Sequence, residues 1–324
     1  MLFISFMIMG TIISLSSTNW IYLWLGMELN LLSFIPVMSS SKLLQETEAS
    51  MKYFLIQAIA SGIMLTSGMM SINKMYFPYM EMLMSSMFLL SMTMKMGIAP
   101  FHQWLPHVMS SMPWSSCLLL STWQKIGPMF LLMSIFPNNM SFMIIIMATY
   151  SVMIGGLGGM NQSQIRALLA YSSIGHMGWM LMALNCSFNI FLFYFLVYFI
   201  ITSSLMILFI NSSNLNTPSS NNITAMPTML FMLIMMIMFS LGGMPPFIGF
   251  FSKWLIIEFL IMKNMMMIMF ILIMGSLMNL FYYLNMIFNF MLINPQKMTM
   301  KMFTWSLSIL IIMSSIFSPI IMFS

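Results

Sequence analysis

The residues in this sequence that could carry chemistry are a few ionisable side chains set deep in apolar runs. Glu28 lies in the middle of an early run, Lys95 lies in the run from Ser91 to Pro106, and Lys125 and Lys253 lie in two later ones. An ionisable group inside a membrane span costs on the order of 2.5–3.5 kcal/mol and usually marks an ion or proton path. We therefore expect these four residues to move charge rather than only to stabilise the fold.

A lysine close to the end of a span has an ordinary explanation, because its ammonium group can reach the membrane surface. That explanation fits six other lysines and fails for the three deep ones. The six are Lys42, Lys52, Lys74, Lys263, Lys297 and Lys301. A nearby carboxylate favours the charged form of a lysine, whereas burial favours the neutral form. A change in the distance between Glu28 and Lys95 would therefore load or release a proton.

The three histidines leave alternatives open. His176 lies deep in an apolar run among small residues, where it is either a structural histidine bonded to a hydroxyl or a proton relay between Lys125 and Lys253. His102 and His107 follow the interrupted run of Lys95 and could assist proton entry or simply pack. We call Glu28, Lys95, Lys125, His176 and Lys253 the polar axis.

Other kinds of site are disfavoured by the motifs. Three histidines without paired spacing do not supply axial haem ligands, and 51 methionines spread through every apolar run do not resemble a copper site. Cys117 and Cys186 form no metal-ligand spacing. The glycines from Gly155 to Gly159 lack a nucleotide-loop pattern and favour close helix packing instead. The sequence predicts no cofactor and no metal in this chain.

The composition identifies an all-α polytopic membrane protein. Of 324 residues, 61% are hydrophobic and 5% are charged, and the mean hydropathy is +0.99. The charges are scattered singly, which excludes a nucleic-acid partner. A span needs about 20 apolar residues, so residues 1–324 form one membrane domain with about eleven spans. The predicted spans are 1–18, 20–39, 50–72, 80–109 (broken), 114–136, 141–160, 164–184, 188–210, 227–260 (broken), 265–291 and 302–322. Glu46 and Glu48 would lie in the loop before the third span.

Basic residues outside the spans predict the orientation. Five of them fall on the side where the chain starts and two fall on the other side. The first group is Lys42, Lys52, Arg166, Lys297 and Lys301, and the second is Lys74 and Lys263. The positive-inside rule then places the N-terminus on the cytoplasm-equivalent side. The methionine-rich composition indicates an organelle gene, so this side would be the mitochondrial matrix.

The sequence contains an internal repeat. Gly97-Ile98-Ala99-Pro100-Phe101 recurs in form as Gly243-Met244-Pro245-Pro246-Phe247, each within a long span that carries a deep lysine. The two spans are five helices apart and therefore cross the membrane in opposite directions. Inverted repeats with broken helices are typical of ion-coupled transporters. We predict two inverted five-helix repeats, approximately 1–160 and 161–291, followed by a C-terminal helix at 302–322.

Several motifs in order along the chain carry a family resemblance. They run from Trp24 to Pro36, from Glu48 to Phe54, from Lys95 to Trp104, from Trp123 to Pro128, from Gly155 to Gln162, from Tyr171 to Trp179 and from Leu241 to Trp254. With these motifs the chain resembles the mitochondrially encoded subunit 2 family of NADH:ubiquinone oxidoreductase, respiratory complex I, in the form found in insects and related animals.

The resemblance implies an antiporter-like fold without the first three helices of the larger relatives. It implies that Glu28 pairs with Lys95, that Lys125 and Lys253 continue the axis, and that the chain is a proton-translocating subunit. NADH, FMN, iron–sulfur clusters and ubiquinone would be bound by other subunits. The implied partners are membrane lipids and other membrane-arm subunits, including subunits 4L and 4, and accessory subunits, in the mitochondrial inner membrane. A stand-alone cation/proton antiporter of the same fold is the alternative.

Overall fold

The architecture is helical throughout the part of the chain that the computed structural model describes, which is residues 2–40, 43–72, 79–135, 140–213 and 228–293. These residues form thirteen helices and no strand. The helices are α1 (Leu2–Ser16), α2 (Trp20–Met38), α3 (Leu44–Ile72), α4 (Tyr79–Met96), α5 (Trp104–Ser111), α6 (Trp114–Ser121), α7 (Trp123–Ile135), α8 (Ser141–Met160), α9 (Ile165–Cys186), α10 (Phe188–Ser213), α11 (Thr228–Gly242), α12 (Ile248–Met262) and α13 (Met266–Ile293). The predicted all-α class is confirmed.

Six of these helices, namely α2, α3, α8, α9, α10 and α13, are long and apolar enough to cross a membrane. Large apolar side chains are exposed on their outer surfaces, for example Leu196, Ile200 and Phe281. Such a surface is stable only against lipid or a partner subunit. The chain is therefore a multi-pass membrane protein.

Some predictions fall outside the described residues. They concern the span at 302–322, Lys42, Lys74, Lys297 and Lys301, and most of the polar segment between α10 and α11.

The structure corrects two element boundaries. The span predicted as continuous over 114–136 is interrupted at Thr122, between α6 and α7. Pro128 has no N–H to donate to the carbonyl of Gln124, and its ring crowds that carbonyl, so the helix is distorted next to Lys125. The loop predicted for Glu46 and Glu48 is also wrong, because both lie in the first turns of α3.

The charges in those first turns show why α3 starts early. The Lys52 Nζ atom lies 2.6 Å from a Glu48 carboxylate oxygen one turn away, and both side chains are exposed. Such pairs support a helix at the surface, by roughly 0.2–0.5 kcal/mol each. Glu46 is buried instead of solvated.

Both lysine-bearing segments break in the same way. Gly97 after α4 and Gly243 after α11 have φ of +71° and +83°. The N–H of the next residue then donates to the carbonyl five residues back, from Ile98 to Thr93 at 3.0 Å and from Met244 to Phe239 at 3.2 Å. This is a Schellman motif, in which glycine is favoured because it adopts positive φ without a steric penalty.

Helix α9 lies at the centre of the molecule and carries His176. It is the most deeply buried of the six long helices, and it contacts α5, α6, α8, α10, α12 and α13. It packs tightly on α8, where a Cβ atom on Gly155 would lie 2.7 Å from the backbone nitrogen of Gly175. The glycine run therefore serves close helix packing, as predicted.

Candidate functional site

The first two residues of the polar axis interact electrostatically without touching. Glu28 on α2 is half-buried, and its Oε2 atom is buried without a hydrogen-bond partner. Its charge acts on Lys95 in the last turn of α4, but the described residues contain no ion pair between them. The structure therefore shows the two groups in a separated arrangement.

Lys95 lies where the break of α4 exposes backbone carbonyls inside the protein. The side-chain amide of Gln57 donates to the carbonyl of Lys95 at 3.1 Å, and the indole of Trp104 donates to the carbonyl of Met94 at 3.2 Å. The nearest partner of the Lys95 ammonium group is the Met64 sulfur at 3.8 Å, a weak acceptor. The break is stabilised by its neighbours, while the lysine itself is held loosely.

All three deep lysines are buried, with exposed fractions of 7% for Lys95, 2% for Lys125 and 5% for Lys253. Lys95 and Lys125 line a common cavity between α2, α3, α4 and α7. Its polar wall is completed by Asn30, Gln57 and Gln124. The cavity has a volume of about 20 Å³, which is room for about one water molecule between the two lysines.

Two amide side chains in this wall bind each other reciprocally. The Asn30 Nδ2 atom donates to Gln124 Oε1 at 3.0 Å, and the Gln124 Nε2 atom donates to Asn30 Oδ1 at 3.0 Å. Asn30 lies two residues after Glu28 on α2, and Gln124 directly precedes Lys125 on α7. The pair therefore joins the helix of the carboxylate to the helix of the second lysine.

Lys125 donates a hydrogen bond to a tyrosine of α10. Its Nζ atom lies 2.8 Å from the Tyr198 hydroxyl oxygen and 4.7 Å from the centre of that ring. The Tyr198 hydroxyl in turn donates to the carbonyl of Ser121 at 3.3 Å. The interruption between α6 and α7 thus supplies a backbone acceptor beside the lysine.

His176 lies on α9 beside two tyrosines that are one turn apart on α10. Its Nδ1 atom is 2.9 Å from the Tyr194 hydroxyl oxygen, and its ring centre is 5.3 Å from that of Tyr198. The Nε2 atom is buried, and the backbone carbonyl of Leu241, near the end of α11, interacts with the imidazole. The imidazole interacts electrostatically with both Lys125 and Lys253, so both lysines lie within electrostatic range of it.

Lys253 follows the second break and binds the helix end that the break creates. Its Nζ atom donates to the carbonyl of Gly242, the last residue of α11, at 2.9 Å. It also lies 6.0 Å from the centre of the Trp179 ring on α9. A cation at a helix C-terminus interacts favourably with the helix dipole.

His102 and His107 lie apart from this series. The His102 Nδ1 atom is 3.2 Å from the carbonyl oxygen of Pro100. His107 is exposed and lines a second polar cavity that also includes Gln162 and Gln164. Neither histidine is hydrogen-bonded to a residue of the polar axis in the described ranges, so a part in proton entry stays a prediction.

Five polar residues of the site were not predicted from the sequence, and these are Asn30, Gln57, Gln124, Tyr194 and Tyr198. Neutral amides and hydroxyls do not stand out in a chain rich in Asn and Ser. A signal was present nonetheless, because Asn30 and Gln124 neighbour Glu28 and Lys125 in the sequence. The tyrosines are four residues apart, which places both on one face of a helix.

The five predicted residues form a series in chain order. Neighbours in the series interact electrostatically or line the same cavity. Glu28 acts on Lys95, Lys95 shares a cavity with Lys125, and His176 lies within electrostatic range of the last two lysines. Among the described residues, no two members of the axis are directly hydrogen-bonded. Such a series can pass a proton only if side chains or water move.

Comparison with known proteins identifies the class. Residues 17–279 match the family described as "NADH:quinone oxidoreductase/Mrp antiporter, TM", and the chain belongs to this family of antiporter-like membrane subunits. A chain of respiratory complex I from Thermus thermophilus shares the fold, with a TM-score of 0.80 and 20% identity over 98% of this chain and 76% of that one.

Two proteins are similar over most of their length. A Lumbricus terrestris protein named NADH-ubiquinone oxidoreductase chain 2 is 42% identical over 293 residues, covering 90% of this chain and 86% of its own. The protein of that name from Anopheles gambiae is 39% identical over 303 residues, covering 91% and 87%. Within its family, the chain therefore groups with complex I subunit 2.

Proposed function

We propose that this chain is a proton-translocating membrane-arm subunit of mitochondrial NADH:ubiquinone oxidoreductase. The observation that carries the proposal is the series of three buried lysines in an apolar protein. Lys95 and Lys125 line one cavity, and His176 lies within electrostatic range of Lys125 and Lys253. A purely structural membrane scaffold gives no reason to bury three lysines. The similarity to the chain 2 proteins supports the same conclusion.

The proposed mechanism starts at Glu28 and Lys95. Free energy from NADH oxidation and quinone reduction in other subunits changes the distance or charge of this pair, which changes the proton affinity of Lys95. A proton then moves through the cavity to Lys125, past His176 and toward Lys253. The driving free energy must exceed about 2.3 kcal/mol per charge for each 100 mV of membrane potential.

The finer architecture belongs to the same proposal. Two inverted five-helix repeats, 1–160 and 161–291, would lie within about eleven spans and would place the two broken helices on either side of His176. The matching Schellman motifs at Gly97 and Gly243 support this arrangement. We propose that the N-terminus faces the matrix and that the chain resides in the mitochondrial inner membrane.

Redox chemistry would take place elsewhere in the complex. NADH, FMN, iron–sulfur clusters and ubiquinone would be bound by other subunits, and this chain would hold no cofactor. Its partners would be lipids and other membrane-arm subunits, including subunits 4L and 4, together with accessory subunits. The exposed apolar side chains of the outer helices support both kinds of contact.

The alternative is a stand-alone cation/proton antiporter of the same fold, which would work without NADH. A native gel of mild-detergent membrane extract tests the two. The gel is probed for this chain and stained for NADH dehydrogenase activity. Migration in one very large, active band is the expected result, whereas a small band without dehydrogenase activity from intact membranes would support the antiporter.

A further inference from the structure

The reciprocal amide pair of Asn30 and Gln124 is placed where the proposed proton path passes between two helices. Both side chains line the cavity that Lys95 and Lys125 share. Their neighbours in sequence, Glu28 and Lys125, are members of the polar axis. The contact therefore joins α2, which carries Glu28, to α7, which carries Lys125.

The pairing also decides which acceptors the cavity offers. A side-chain amide has one oxygen acceptor and two N–H donors. In the pair, one of the two lone pairs of each oxygen accepts a hydrogen bond from the other amide at 3.0 Å, and the Lys125 ammonium group binds the Tyr198 hydroxyl. Opening the pair would free the second lone pair of each amide oxygen and allow both side chains to turn toward the lysines.

The packing around the pair favours its formation. A Cβ atom on Gly127 of α7 would lie 2.9 Å from the sulfur of Met27 on α2, so the Met27 side chain fills the space beside α7. Asn30 is buried, and Gln124 is half-buried. Burying an amide without a hydrogen-bond partner is unfavourable, so the closed pair is the favoured arrangement.

We propose that Asn30 and Gln124 are positioning residues for proton transfer between Lys95 and Lys125. The closed pair holds Lys125 on Tyr198, and the open pair gives the lysine ammonium group an amide oxygen to bind in the cavity. This inference rests on the proposed function, because it assigns the pair a role in the same path. The opening of the amide pair neither forms nor breaks a covalent bond. The lysine keeps its proton on the Nζ atom during that step.

The test uses the intact purified complex, with this chain altered, in sealed lipid vesicles. Proton pumping is measured with a pH-sensitive dye, and NADH oxidation by an artificial acceptor reports the amount of assembled enzyme. The double variant Asn30→Leu/Gln124→Met removes both amides at nearly constant volume. Replacing both partners of a hydrogen bond by apolar groups of the same shape is close to neutral for stability.

We expect this double variant to assemble normally and to pump at least about fivefold more slowly, since the amides that position Lys125 are lost. The pH dependence of pumping should also change, because the surroundings of the lysines have changed. The exchanged variant Asn30→Gln/Gln124→Asn keeps one amide of each length and should pump within about twofold of the unaltered enzyme. Gln45→Met alters an exposed glutamine of α3 and is the matched control.

Three results would overturn the inference. The first is a double apolar variant that pumps normally with an unchanged pH profile. The second is a loss of pumping in proportion to lost assembly, which would mean that the pair only stabilises the fold. The third is an exchanged variant as defective as the apolar one. Lys125→Met separates the two proposals, because full pumping by that variant contradicts the proposed function itself.

Discussion

The ammonium group of Lys253 caps the C-terminus of α11 by binding the carbonyl of Gly242 at 2.9 Å. Lys95 has no such role at the first break, where Gln57 and Trp104 bind the exposed carbonyls. The two breaks have the same backbone geometry, but their lysines make different contacts. The second lysine is held by a helix end, whereas the first lines the cavity it shares with Lys125.

Gly243→Ala should disturb Lys253 directly. A methyl group at this position would lie 2.9 Å from the lysine Nζ atom, and the φ of +83° costs a residue with a Cβ atom about 1–2 kcal/mol. We expect proton pumping to fall about tenfold, because the lysine must leave the carbonyl of Gly242. The measurement is dye-reported pumping per assembled complex.

The control for this change is Gly62→Ala in α3, where an added Cβ atom meets no atom within 4 Å. It should leave pumping unaltered, because alanine is the better helix former. Equal effects of the two substitutions would contradict the role given to the Gly243 position.

Lys95→Met should abolish pumping or lower it at least tenfold in an assembled enzyme. Methionine keeps the volume of the side chain but removes the group that Glu28 acts on. The measurement is pumping in vesicles, with NADH oxidation by an artificial acceptor as the measure of assembly. Full pumping by this variant would falsify the role of the lysine.

Lys52→Met is the matched control for that experiment. Lys52 lies at the exposed start of α3 in an ion pair with Glu48. Exposed pairs of this kind contribute about 0.2–1 kcal/mol at most. Pumping should therefore stay close to that of the unaltered enzyme.

Tyr198→Phe should slow pumping by about threefold to tenfold. Phenylalanine keeps the ring beside His176 but removes the hydroxyl that accepts a hydrogen bond from Lys125. A hydrogen bond to a charged group contributes about 1.5–3 kcal/mol, so the position and charge of the lysine should change. Pumping measured across a pH series tests this, and a profile identical to that of Tyr150→Phe, which alters an exposed tyrosine, would contradict it.

Gly155→Val should lower the thermal stability of the protein without altering a residue of the polar axis. A Cβ atom there would lie 2.7 Å from the backbone of Gly175, so α8 and α9 would be forced apart. Overpacking of this kind costs about 1–3 kcal/mol. The fraction of complex that survives a temperature series in detergent should fall, whereas Leu157→Val, at an exposed position of α8, should match the unaltered enzyme.

The helices that the sequence predicted best are those with uninterrupted apolar runs. The predicted bounds of 141–160 coincide with α8, and both breaks were located from glycine and proline alone. The interruption at Thr122 was missed because Pro128 alone does not say where the distortion falls. The early start of α3 was missed because Glu46 and Glu48 look like loop residues, although the pairing of Glu48 with Lys52 and the burial of Glu46 stabilise them in a helix.

The sequence by itself determined the class of the molecule and the identity of its buried charges, because hydropathy and the cost of an ionised group in lipid are local properties. Only the tertiary structure decided which neutral side chains surround those charges. Asn30 meets Gln124 and Lys125 meets Tyr198 across 94 and 73 residues of chain. Such contacts depend on how α2, α7 and α10 pack. The packing of helices that are far apart in the sequence is set by all the helix interfaces together, not by local sequence.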